Sequence, residues 1–442
     1  MILVVFYYIS EGGRRMFKKI LCLIFVCTVA LSLVSCSGSP EDKQDPAEGL
    51  VFAEATLELD IVSKFSEGLA AVYQEGKGGY IDRTGAFVVP AIFSGVTPFV
   101  DGLAVVTVPG GNEESPYRSG LINKNGDNVS AIEYEMIGEF HEGLAPVQQE
   151  SLYGFMNTSG EVVIPFEYEL ASDFSEGLAA VSVESLYGYI DNTGKTVIPF
   201  DYEQASNFSE GLASVCFGGK YGYIDTAGEV AIPFTYEYAG EFTDGLAVAA
   251  AVTESGMAKM GFIDKTGNVV IPFEYASALN FQDGISLVST ASGSGYHNID
   301  TSGAVILKHE DYITVRGFSE GFAAVRQEEA WGFVDKTGNL AIACAYESVS
   351  DRGFSDGLAI VKKDNKWGVI DTAGTVAIPF DYDVLFDFSD GFAAAVKDRK
   401  CGIIDKAGKV VVPFEYDLTG YIGEGLAFMQ HNGKWGVLEL VN

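Results

Sequence analysis

A chain of 442 residues, 48% of them apolar, can build a large core and would ordinarily divide into roughly two to four domains. Its formal charge is −33, from 61 acids against 28 bases. A surface this acidic repels nucleic acid and anionic lipid headgroups and attracts cations or basic partners, although its plainest use is solubility.

Arg14, Arg15, Lys18 and Lys19 precede an apolar run at residues 20–33, ILCLIFVCTVALSL. The run has the length of a signal peptide and is short for a bilayer span. An opening at Met16, MFKK, is ordinary for such a peptide, which makes residues 1–15 read as an over-extended start. Leu33-Val34-Ser35-Cys36 comes next and resembles a bacterial lipobox. The resemblance implies a leader at residues 1–35 and a lipid on Cys36; a plain secretory signal with an incidental cysteine is the alternative. Residues 36–50 are polar, charged and proline-containing, as a flexible tether would be.

From residue 51 onward the chain repeats itself. Two consecutive stretches begin FSEGLAAV and FSEGLASV at Phe174 and Phe208, and they match along most of their length. The anchor glycines of this pattern are Gly68, Gly102, Gly143, Gly177, Gly211, Gly245, Gly284, Gly321, Gly357, Gly391 and Gly425, which makes eleven units with a base period of 34 residues. Each unit predicts three short strands, such as residues 178–181, 187–190 and 196–198, rich in β-branched and aromatic residues. Asp191-Asn-Thr-Gly194 has hairpin chemistry: an Asp to bind backbone amides and a Gly to take positive φ. Pro199 and its equivalents stop a strand or mark an edge.

One such unit cannot bury a face alone, whereas eleven in series share a core. The fold class is therefore all-β, with tandem three-stranded antiparallel repeats across residues 51–442. Unequal gaps and eleven units, against the ~4–8 blades usual in propellers, favour an open β-solenoid or superhelical stack. One or two β-propellers is the alternative. For that alternative residues 51–61, VFAEATLELDI, could supply the strand that the last unit lacks.

The units resemble WG repeats, also called KWG repeats. The naming residues are Trp331-Gly332, Lys366-Trp367-Gly368 and Lys434-Trp435-Gly436, with Tyr in place of Trp at Tyr153, Tyr187 and Tyr221. Five units depart further, with Gly78, Ser119, Met260, Ser294 and Cys401 at that place. The resemblance implies a β-rich repeat, frequent on exported proteins, and brings no catalytic residues.

The acids before the anchor glycines and the hairpin aspartates would each form a row in a stack. Calcium between units, held by pairs such as Glu176, Asp191, Glu210 and Asp225, is the sharper reading of those rows. Separate turn and cap hydrogen bonds are the plainer and favoured one, and no cofactor is required. The periodic aromatics Tyr153, Tyr187, Tyr221, Trp331, Trp367 and Trp435 read first as core between repeats. If exposed, they and Tyr117 in the inserted loop of unit two would form a binding surface. Cys216, Cys344 and Cys401 have no framework spacing and read as small apolar residues. No catalytic or metal motif stands among the four histidines. The expected protein is a lipid-anchored, extracytoplasmic scaffold at the cell envelope that binds a protein, a cell-wall polymer or a glycan. The alternatives are a structural spacer without ligand and a glycan-processing enzyme.

Overall fold

The computed structural model describes residues 56–110, 116–290 and 295–440. The leader at 1–35, the lipidated Cys36 and the tether at 36–50 fall outside these residues. Pro46–Asn442 is one compact unit. Among the described residues, its hydrophobic clusters are built from residues 57–440.

That unit is an eleven-bladed β-propeller, one antiparallel sheet to each sequence repeat. Blade 4 shows the plan. Its strands are Leu170–Ala171, Leu178–Val183, Leu186–Asp191 and Thr196–Tyr202, each paired with the next. The three-stranded unit expected from sequence is thus corrected to four. The extra strand is the first, and in blade 4 it pairs through only two residues, too few to show an alternating pattern.

Three tight turns join the strands. Glu176-Gly177 and Glu184-Ser185 both take left-handed φ, at 55° and 82° and at 51° and 66°. That geometry matches the twist of two-residue hairpins. The third turn runs from Asp191 to Gly194, whose N–H donates to the Asp191 carbonyl at 2.9 Å. Asp191 Oδ1 accepts from Thr193 N at 2.9 Å and Lys195 N at 3.1 Å, so one carboxylate fixes the loop.

The repeat glycine has a steric cause. Tyr187 pairs with Tyr202 and Tyr189 with Ile198, so residues 199–201 of the fourth strand bulge opposite Gly188. A Cβ on Gly188 would lie 2.6 Å from the Ile198 carbonyl oxygen. Pro199 sits inside the bulge, where no ladder N–H is wanted. Between blades, Tyr189 packs on the next anchor ring, Phe208, at 4.9 Å. Gly194 of blade 4 rests on Ile164 of blade 3.

The ring is closed by a backbone bridge at Leu57. Blade 11 has three strands of its own, Leu418–Gly423, Leu426–His431 and Lys434–Glu439. Leu57 completes it. Its N–H donates to the Trp435 carbonyl at 3.1 Å and Trp435 N–H donates back at 2.9 Å. Leu57 thus stands where Tyr382 stands opposite Trp367 in blade 9. Phe65 stacks on Phe428 at 5.2 Å, within a core shared by blades 1 and 11. This corrects the open stack to a single closed ring. The unequal gaps that favoured the stack are absorbed locally, in the hairpins of blades 2, 6 and 7 and in a wider bulge in the first strand of blade 9, Ser348–Ser355. First strands of neighbouring blades lie beside one another, as residues 314–319 and 348–355 do, so they form the inner edge of the ring.

Candidate functional site

The turns sort onto two rims. Where a blade has them, the first–second and third–fourth turns share one rim, and the second–third hairpins share the other with the blade-to-blade crossings. The first rim is uniform and carries the anchor acids and the Asp-x-x-Gly turns. The second is varied. Its hairpin is two residues in blade 4, where Val183 pairs with Leu186, but spans residues 110–116 in blade 2, 253–257 in blade 6 and 290–295 in blade 7. Tyr117, exposed, stands at the base of the blade 2 hairpin.

On the uniform rim each anchor glutamate reaches the next blade. Gly211 N–H donates to Glu176 at 3.0 Å, Gly245 to Glu210 at 3.3 Å and, across the seam, Gly68 to Glu424 at 2.9 Å. All six glutamates at this place make the bond. Among the described residues, Asp244 is the one aspartate that does so. The aspartate side chain is a methylene shorter, which accounts for the difference. Lys265 Nζ lies 2.8 Å from Glu210 and, with the amide, holds that carboxyl below its usual range. Asp191 is held low by the Thr193 hydroxyl, and Asp225 accepts from the amides of Ala227 and Glu229 at 2.9 Å each. The four acids weighed for calcium are thus engaged with backbone amides. Among the described residues, no three Asp, Glu, His or Cys side chains gather into a metal site.

The aromatic candidates at the WG place lie between blades. Trp331 and Trp435 are buried, while Tyr153, Tyr187, Tyr221 and Trp367 are partly buried. Tyr153, Tyr221 and Trp367 pack against inter-blade clusters. Arg316 caps Trp331 with its guanidinium 4.6 Å from the ring centroid. The free cysteines Cys216 and Cys401 are buried and Cys344 is partly so; burial pushes all three thiols up.

The largest departure from internal symmetry is the joint between blades 7 and 8. Ser289 pairs with Tyr296 and Val288 with His297, so Tyr296-His297 takes the place of Trp-Gly in blade 7. This shifts the assignment made from sequence at Ser294, which lies outside the described residues. A side chain at the glycine place leaves no room for the bulge. Accordingly the fourth strand, Val305–Lys308, is short, and the chain turns away through a 3-10 turn at His309–Asp311. Next to His297, Asn298 replaces the ring that Tyr189 supplies in blade 4. Asn298 is buried and its Oδ1 lies 2.8 Å from His309 Nε2. His297 Nε2 lies 3.2 Å from Glu310 Oε1. Burial lowers the His309 pKa, with His297 acting in the same sense and Glu310 opposing. A cavity of about 490 Å³ opens here, lined by Asn298, His309, Leu287, Phe318, Asp283 and Lys336 among others. That volume is in the range of small-ligand sites.

A β-propeller whose joints are made by repeated aromatic and glutamate contacts defines a class of scaffold proteins. Ten stretches between residues 79 and 435 match the family model described as WG containing repeat: 79–110, 120–153, 153–187, 187–221, 221–250, 260–290, 299–329, 331–367, 367–401 and 402–435. The chain belongs to the WG-repeat family. No curated protein matches it. Among solved structures, a eukaryotic initiation factor aligns at 14% identity with a TM-score of 0.42, covering 67% of this chain and 89% of that one. Kluyveromyces lactis Hsv2 aligns at 11% identity with a TM-score of 0.30, covering 70% and 98%. Overlaps this loose say nothing about what the chain does.

Proposed function

We propose that this protein is an exported scaffold, held to the envelope by a lipid on Cys36, that binds a protein or an envelope polymer through the varied rim of its ring. One observation carries the reading. The enlarged hairpins of blades 2, 6 and 7 all fall on the same rim, while the opposite rim keeps tight turns locked by carboxylates. Insertions on one side of a rigid repeat scaffold are where binding loops are carried. The acidic surface favours a basic partner at low salt.

The test is affinity capture with residues 46–442, against solubilised envelope proteins and, separately, purified cell-wall material. The expected result is enrichment of one protein or polymer, lost when the 110–116 and 253–257 hairpins are cut to two residues. Clean recovery of the bare ring from both would refute a binder and leave the spacer reading. Release of soluble sugar from the wall material would point instead to the enzyme reading.

A further inference from the structure

At six joints of the ring, a third-strand aromatic lies 4.7–4.9 Å from the next anchor phenylalanine: Tyr80 on Phe99, Phe155 on Phe174, Tyr189 on Phe208, Tyr223 on Phe242, Phe262 on Phe281 and Phe333 on Phe354. Four more joints place an aliphatic side chain there, Leu121, Val369, Ile403 or Val437. Blade 7 alone among the described blades places a polar residue, Asn298. The Phe318 ring on the other side of that joint is only partly buried, as Phe140 and Phe388 are beside the aliphatic Leu121 and Val369, whereas Phe208, Phe242 and Phe281, each beside an aromatic partner, are 0–3% exposed.

The three tyrosines also show what such a ring needs. Each hydroxyl donates at 2.7 Å to the carbonyl two residues before the anchor phenylalanine, at Thr97, Ser206 or Gly240. The matching carbonyl in blade 8 belongs to Arg316, in the bulge between the paired residues Val315 and Phe318. Arg316, Phe318 and Asn298 all line the cavity. Asn298 and His309 supply further polar atoms in its wall, while Leu287 and Ile285 supply apolar ones. Asp283, Glu320 and Lys336 are exposed and lie at its mouth.

We infer that this cavity binds a phenol ring, stacked on Phe318 and donating its hydroxyl to the Arg316 carbonyl, in the place that a blade tyrosine fills elsewhere in the ring. The phenol comes either from a small free aromatic or from a tyrosine side chain on a partner. The site lies toward the uniform rim, with Asp283, Glu320 and Lys336 in its lining, so it holds whether or not the enlarged hairpins bind.

The test titrates residues 46–442 with 4-methylphenol, with N-acetyltyrosine amide and with toluene, followed by calorimetry and saturation-transfer NMR. The expected result is saturable binding of 4-methylphenol, with toluene about tenfold weaker for want of the hydroxyl. Phe318→Leu weakens binding about three- to tenfold by removing the ring pair. Asn298→Phe fills the cavity and abolishes binding while circular dichroism stays unchanged. Binding of both phenols assigns a presented tyrosine; binding of 4-methylphenol alone assigns a free small molecule. No saturable binding at millimolar 4-methylphenol, or equal binding of toluene, would overturn the inference. Should Asn298→Phe misfold, the toluene and Phe318→Leu comparisons still decide it.

Discussion

Gly188→Ala adds one methyl group at a crowded crossing. The new Cβ would stand 2.6 Å from the Ile198 oxygen and 2.9 Å from the carbonyl carbon and oxygen of Pro199, where real Cβ atoms stay beyond about 3 Å. All three atoms are backbone, so no side chain can rotate aside. The fourth strand of blade 4 must shift by at least about 0.4 Å, and a close-packed sheet resists this. Overpacking of this kind costs about 1–3 kcal/mol. Gly177→Ala is the control. Nothing lies within 4 Å of its Cβ, but its φ is +82°, so it costs about 1–2 kcal/mol through left-handed strain alone. Urea unfolding of residues 46–442 measures both losses, and native-state hydrogen exchange locates them. Gly188→Ala should speed exchange along Thr196–Tyr202, whereas Gly177→Ala should leave that strand protected. Blade 7 already carries a side chain at this place, and its fourth strand has left the bulge path. Wild-type stability and exchange in Gly188→Ala would refute the steric account of the repeat glycine.

Hydroxyl and amide donors depress the turn aspartates Asp191, Asp264, Asp300 and Asp335, with Thr266 bringing Asp264 to about 2. A depressed carboxyl stabilises the fold above the ordinary carboxylate pKa of about 4. That stability should therefore be lost between about pH 4 and pH 2, with Asp264→Asn flattening the loss in a pH series of urea melts. Asp390→Glu should gain the bond to the next anchor amide, adding about 0.5–1.5 kcal/mol, while Asp390→Asn should not; equal midpoints for the two would refute the reach argument. Cutting the chain after Leu57 removes the two backbone bonds to Trp435. It should cost about 1–3 kcal/mol and red-shift tryptophan emission, and unchanged emission would mean that the seam is held elsewhere.

The repeat, its strands and its Asp-x-x-Gly turns were legible in the sequence because each has a local cause. The β-branched run Thr196-Val197-Ile198 marks Thr196–Tyr202, and an Asp with a Gly three residues later marks the turn at Asp191. The first strand was not legible, since Leu170 and Ala171 carry too little pattern. Closure was visible only as an option: residues 51–61 could cap an end or complete a sheet, and the choice depends on where Trp435 lies after ten other blades have turned. The WG aromatics, read first as core, are buried at Trp331 and Trp435 and partly buried at Tyr153, Tyr187, Tyr221 and Trp367. The cavity at blade 7 went unread because Asn298 stands out only against Tyr189 or Phe333 in register, and the nearby glycines had drawn the alignment two residues off.

Closure by residue 57 also limits how the gene can change. An open array can gain or lose a unit by slippage and remain a slightly longer or shorter rod. Here the first and last units must meet through Phe65, Phe428 and Glu424. Deleting one copy would force every remaining wedge to widen or leave the seam gaping. Copy number in this protein is therefore a property of the whole circle, and recombination between its near-identical neighbours, blades 4 and 5, should be selected against even though each resulting hybrid unit would be well formed.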